Sequence, residues 1–179
     1  MSADRVSEPV DCTRSHPAVP ALPLIRLATA ADAAAIAKLL RVAFDAHRAS
    51  YPPEAWRSAT PGPSAVTARL EDGPIWVSTL GDALVGTLSA VVMADELHLR
   101  SLAVDPTARR NGVAAALLHT AHDEACARNM RVLSLETAEF LEAAVSLYRR
   151  VGFETRGTGD HHGLRTLRLT RNAATPWLR

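Results

Sequence analysis

A strand-like run from Leu99 to Val104 stops at Asp105-Pro106, and Arg109-Arg110-Asn111-Gly112-Val113-Ala114 follows where an Ala/Leu-rich helix can begin. That arrangement suits an anion. A helix N-terminus presents amide N–H groups without intrahelical partners together with a partial positive charge. Arg109 and Arg110 add formal charge beside it, and Gly112, lacking a Cβ, lets an anionic ligand approach the main chain. Two other phosphate loops are excluded, because neither G-x-x-x-x-G-K-[ST] nor G-x-G-x-x-G follows a strand. His119 and His122 lie three apart with nothing to complete a metal set, so a solvated helix face and no metal are expected there.

A second block lies downstream. Val132-Leu133-Ser134-Leu135-Glu136-Thr137 reads as a strand, and the helix after it ends in Leu147-Tyr148-Arg149-Arg150-Val151-Gly152-Phe153. The R-x-x-G-x-A of Arg109 to Ala114, taken with this L-Y-x-x-x-G-F ending in the right order, resembles the GNAT family of N-acetyltransferases, whose cofactor signature is Q/R-x-x-G-x-G/A. The resemblance extends from about Leu24 to Leu169. It implies an α/β GNAT fold, a central mixed and mostly antiparallel sheet of about seven strands flanked by about four helices. It also implies acetyl-CoA as donor, CoA as product, and direct attack by a primary amine within a ternary complex. The expected acceptor is a small-molecule amine. A protein or peptide N-terminus, or a non-catalytic acyl-CoA sensor, are the alternatives.

On this resemblance Leu102, Ala103 and Val104 offer backbone groups to the pantetheine arm, and Arg109, Arg110, Asn111, Gly112, Val113 and Ala114 wrap the pyrophosphate. Ala114 stands where Gly is more frequent. Leu141 stands where several relatives carry a cofactor-touching Asn, so that contact is absent or replaced. Tyr148 matches the general acid, and the Val104 amide an oxyanion donor. An ammonium has no lone pair, so a base is needed as well. Glu136 matches the carboxylate of N-terminal acetyltransferases, and His98, six residues before Val104, matches the glutamate of the histone-acetylating branch. Both stay open. His47, Tyr51 and Trp56 are candidates for an acceptor wall or a loop anchor, and His161-His162 for a polar loop near that cleft.

The elements that position these residues are legible from periodicity. A short strand at Leu22 to Leu27 precedes Thr29 and Asp32, a capping-box signal, and a helix to about Asp45 with an Ala33, Ile36, Ala37, Leu40, Phe44 stripe. Ala46 to Gly62 is proline-broken and irregular, and a short helix spans Ser64 to Leu70. Strands follow at 75–80, 83–93 and 96–104, then a helix at 112–128, a strand at 131–136 and a helix at 139–151. Two last strands, 153–156 and 164–169, flank a polar loop from Gly157 to Gly163. The order is β-α-α-β-β-β-α-β-α-β-β.

A chain of 179 residues fits one domain, expected at 22–170 between a flexible tail at 1–21 and a C-terminal tail at 171–179. Trp177 and Leu178 in that last tail could pack on a neighbour, which makes a homodimer an expectation. Twenty basic residues against 19 acidic ones give a net charge of +1, so no general field favours nucleic acid or an anionic membrane. Cys12 and Cys126 lie far apart, and no continuous apolar stretch opens the chain. A reducing cytoplasm is the expected compartment, without a signal peptide or a membrane span.

Overall fold

The computed structural model describes residues 23–177, so the expected N-terminal tail and Leu178 lie outside the described residues. Strand β1 (Leu24–Leu27) leads through Thr29 into a 3-10 turn (Ala30–Asp32) and helix α1 (Ala33–Phe44). The Asp32 carboxylate accepts the Thr29 amide at 2.8 Å and two nitrogens of Arg26, each at 2.8 Å. The helix start is therefore boxed as expected, with an arginine clamped over the box. Helix α1 buries Ile36, Ala37, Leu40 and Ala43 with Val66, Ile75, Val77 and Ala103 on one face of the sheet.

Two short helices then appear where one was expected, α2 (Pro53–Ala59) and α3 (Pro63–Ala68). The prolines that made this stretch read as irregular open the helices instead. At the first helical position the missing N–H costs no hydrogen bond. Five α-helices result among the described residues, one more than the sequence order predicted.

Strands β2 (Ile75–Leu80), β3 (Ala83–Val92) and β4 (Glu96–Val104) form an antiparallel meander. Helix α4 (Val113–Ala127) returns the chain to β5 (Val132–Ala138), which lies parallel to β4. Helix α5 (Glu142–Arg150) leads into the β6 (Glu154–His161) and β7 (Leu164–Asn172) hairpin. One seven-stranded sheet results, ordered β1-β2-β3-β4-β5-β7-β6, with β4–β5 its parallel pair. The mixed, mostly antiparallel α/β architecture is the expected one. Leu97, Leu99, Leu133, Leu135 and Leu169 pack against Leu117, Leu118 and Ala121 of α4 on the face opposite α1.

Several boundaries differ from the sequence reading, and β5 and β7 each run two or more residues further than expected. Helix α5 begins at Glu142 instead of Glu139, because Leu141 (φ −81°, ψ 60°) is not helical and Phe140 turns into an aromatic cluster. Strand β6 runs through the supposed loop to His161, and the turn is only His162-Gly163. Both turn residues have positive φ, 53° and 78°, as a tight two-residue hairpin requires. The C-terminal stretch is packed: Ala173 is buried, and Trp177 stacks on His119 at 5.3 Å beneath Arg171 at 4.9 Å. Trp177 is thus occupied within its own chain. His122, expected on a solvated face, is buried with Nε2 2.9 Å from the Ala173 carbonyl oxygen.

Candidate active site

Strands β4 and β5 pair over four positions only, from Glu96↔Val132 to Leu99↔Leu135, and then separate. Beyond Leu99 the edge of β4 that faces β5 has no strand partner, and a cavity of about 1340 Å³ opens along it. The divergence begins at a β-bulge. Ser89 pairs with Arg100 and Thr87 with Ala103, so Ser101 and Leu102 together oppose one residue of β3. Ser101 takes a left-handed conformation (φ 57°), and its hydroxyl oxygen accepts a hydrogen bond from Arg69 at 2.9 Å. An extra residue bends the bulged strand and re-aims its groups.

The register also sorts the backbone. The Asp105 amide donates to the Val85 carbonyl at 2.8 Å, so alternation along the antiparallel ladder directs the Ala103 groups to β3 and turns those of Val104 toward the gap. Leu102, Ala103 and Val104 all line the cavity.

At one end of the cavity sits the start of α4. Gly112 caps it with φ 77° and open space where a Cβ would stand, so both its conformation and its missing side chain matter. The first intrahelical bond runs from the Ala116 amide to the Gly112 carbonyl, which leaves the amides of Val113, Ala114 and Ala115 without helical partners. Arg110 (φ 64°) contributes a second left-handed residue to this turn. Arg109 is only partly available to a ligand, since its guanidinium donates to the Ala43 carbonyl at the end of α1 (3.0 Å). Arg109, Arg110, Gly112, Val113 and Ala114 line the cavity; Asn111 does not.

At the other end the three expected catalytic side chains converge from both faces. Tyr148 comes from α5 on the α4 side, is buried, and meets Phe153 edge-on at 5.9 Å. Burial, with Tyr51 nearby, raises its phenol far above the ordinary value, so it stays protonated. Tyr148, Leu102 and Glu136 also wall a small adjoining cavity of about 20 Å³. His98 and Glu136 alternate with the buried leucines of β4 and β5 and so face the α1 side. Glu136 accepts a hydrogen bond from Nε of Arg168, its register partner on β7, at 2.8 Å. Gly159 on β6 makes room for that pair, as a Cβ there would stand 2.8 Å from Thr166 Oγ1 and 3.3 Å from both Arg168 Nε and Glu136 Oε1. Burial lowers the His98 pKa, against opposing pulls from Glu96 and Glu136.

Tyr51 anchors the far wall. It packs edge-on against Phe44, Trp56 and Phe140, and burial pushes its hydroxyl up to about 12. His47 and Tyr51 line the cavity, whereas Trp56 backs Tyr51 from behind under Arg48. His161 lines it too and bonds the Ser58 hydroxyl at 3.0 Å, while His162 approaches Glu54 at 3.4 Å. The β6–β7 tip is thereby seated on α2 as a roof.

The family model of the acetyltransferase (GNAT) family matches residues 34–153, most of the chain. The chain belongs to the GNAT family. Curated relatives include the probable N-acetyltransferase camello of Xenopus tropicalis, 34% identical over 47% of this chain and 40% of that protein. The IAA acetyltransferase of Azospirillum brasilense is 35% identical over 37% of this chain and 43% of that protein. The chain thus spans less than half the length of these relatives. Among solved structures, the PaiA N-acetyltransferase of Thermoplasma acidophilum in complex with coenzyme A superposes with a TM-score of 0.73 at 14% identity, covering 84% of this chain and 98% of that one. YncA of Salmonella typhimurium, solved with its cofactor acetyl-CoA, gives 0.68 at 21% identity over 87% of this chain and 98% of that one.

Within this GNAT scaffold the sequence motifs pointed to the turn before α4 and to Tyr148, which both line the cavity. They did not reveal Arg168, Ser134, Glu96 or Arg69. Those four act through strand register and helix docking, and the only available signal was the shared face of Ser134 and Glu136 on β5. No helix of the described residues is long and apolar enough to cross a membrane, and no cluster of three or more metal-binding side chains occurs among them.

Proposed function

We propose that this GNAT protein is an N-acetyltransferase that moves an acetyl group from acetyl-CoA to a primary amine of a small molecule, by direct attack within a ternary complex. One observation carries the reading: the parting of β4 and β5 leaves an unpaired strand edge running from the amide-rich start of α4 to a point flanked by Tyr148, His98 and Glu136. The residues fit the cofactor. Arg110, Gly112, Val113 and Ala114 would hold the pyrophosphate, with Arg109 partly tied to Ala43 beside them, helped by free helix amides and the open side of Gly112, and Leu102 to Val104 would hold the pantetheine arm along the strand edge. When bound, acetyl-CoA supplies an acetyl group already activated as a thioester.

The chain's own groups do the rest. Tyr148 holds a proton through the neutral pH range and can give it to a departing sulfur, and the Val104 N–H, directed into the gap, is placed to donate to an oxygen that gains charge. For the base we favour His98 over Glu136, since it lines the cavity and its lowered pKa leaves it in the neutral form near pH 7, whereas Glu136 is already bonded to Arg168. Glu136, already held by Arg168, supplies negative charge that draws in an ammonium. The aromatic wall around Tyr51 and the roof of the β6–β7 tip enclose the acceptor side, which favours a small amine over a protein chain end.

Thiol release from acetyl-CoA, measured with polyamines, amino acids, aminoglycosides and short peptides, tests this reading. Acceptor-dependent release with small amines is expected, and Tyr148→Phe lowers kcat by roughly 10²–10⁴-fold with little change in acetyl-CoA binding. Turnover confined to peptides would move the acceptor class. Tight binding without turnover on any acceptor would make the chain a sensor.

A further inference from the structure

His98 does not stand alone on the sheet. Its register partner on β5 is Ser134, and the Ser134 hydroxyl oxygen lies 2.7 Å from His98 Nδ1. The same hydroxyl donates to the Glu96 carboxylate, two residues before His98 on the same face of β4, in a short hydrogen bond. Glu96 Oε1 is itself 3.8 Å from His98 Nδ1, too far for a direct hydrogen bond, so the serine is the link. Ser134 is buried, while His98 opens on the cavity.

A serine hydroxyl has one proton. With that proton committed to Glu96, the serine oxygen can only accept from His98, which places the imidazole proton on Nδ1 and the lone pair on Nε2. We propose that Glu96 and Ser134 are positioning residues that fix His98 in the Nδ1–H tautomer and so present Nε2 as the basic atom of the acetyl-transfer site. This rests on the reading of His98 as the base. In the step assigned to it, Nε2 takes one proton from the acceptor ammonium, the amine nitrogen recovers its lone pair, and the ring becomes an imidazolium protonated at both nitrogens. The Ser134 hydroxyl keeps its proton, and the Glu96 carboxylate, two hydrogen bonds from the ring through Ser134 and 3.8 Å from Nδ1, offsets the new positive charge. The imidazolium then returns a proton to water.

Other charges around the ring act in known directions. Glu96 and Glu136 favour the imidazolium, and Arg100 on β4 opposes it. Arg168 is hydrogen-bonded to Glu136, and the β3 partner, Val91, is uncharged. Removal of the relay therefore disfavours proton uptake.

Two measurements on the full chain test the proposal. Nitrogen NMR of histidine-labelled protein needs no acceptor and should show His98 as the Nδ1–H tautomer in the wild type and as a mixture of tautomers in Ser134→Ala. An Nε2–H signal in the wild type, or a tautomer unchanged in Ser134→Ala, overturns the relay. In the pH profile of kcat/KM, His98→Gln should remove the acid limb. Glu96→Gln and Ser134→Ala should move that limb to lower pH and reduce the plateau by roughly tenfold, a part of the about 10²–10⁴-fold that a positioned base provides. KM for acetyl-CoA should hold in each. An acid limb that persists in His98→Gln sinks the base reading itself. A limb lost there but unmoved in both relay variants sinks the relay and leaves the base.

Discussion

Two side chains whose titration differs between the folded and unfolded chain give stability a readable pH dependence. His98 has its pKa lowered by burial, so below about pH 6.5 the unfolded chain binds a proton that the native site still refuses. Stability falls as pH drops through that window, only modestly because the ring is partly solvated. Asp32 has its carboxyl held far below the usual range, chiefly by the Arg26 side chain. Its contribution is present above about pH 4 and is lost as pH falls further. Urea midpoints measured from pH 7.5 to 3 should decline in both windows. His98→Gln should flatten the upper one and Asp32→Asn the lower. Asp32 was legible in the sequence because its partner Thr29 lies three residues away. Ser134, which links His98 to Glu96, was not, because it is 36 positions from His98 and the register of parallel strands leaves no local trace.

Helix α4 owes its place to a residue on another element. A Cβ on Gly86 of β3 would stand 2.6 Å from Val113 Cγ1, 3.1 Å from Leu117 Cδ1 and 3.2 Å from Ser78 Cβ, so this glycine lets the first turn of α4 lie close on the sheet. Gly86→Ala should cost about 1–3 kcal/mol by overpacking. Calorimetry will register this as a lower Tm, and titration calorimetry should show weaker acetyl-CoA binding as the turn that presents the free amides shifts. Hydrophobic period and caps were enough to place α1, α4 and the central strands. They failed where chemistry and period diverge: Pro53 and Pro63 resembled breaks but start helices, and Gly157 and Gly159 resembled a loop but belong to an edge strand whose small residue spares the Glu136–Arg168 pair.

Across the molecule, the aromatic wall, the seated hairpin and the docked Trp177 join parts that are distant in the chain; the residue types suggested the wall, but the contacts that seat the hairpin on α2 and Trp177 on α4 left no trace in local pattern. What the motifs could show was the order of the two functional blocks. What they could not show was how weakly the sheet is joined between those blocks. Strands β1 to β4 and the β5-β7-β6 set meet through four residue pairs, after which the two parts diverge. Such a seam invites two cooperative units that open with different free energies, and native-state hydrogen exchange resolves them. Amides on the β5-β7-β6 side should exchange through a smaller opening than those of β3 and β4 backed by α4. A ligand laid along the seam ties the units together. At a hundredfold excess over its Kd, acetyl-CoA should add about 2.7 kcal/mol to global stability, slow exchange at Val104, and merge the two openings into one. A single exchange class already present without ligand would mean that the helices alone lock the seam.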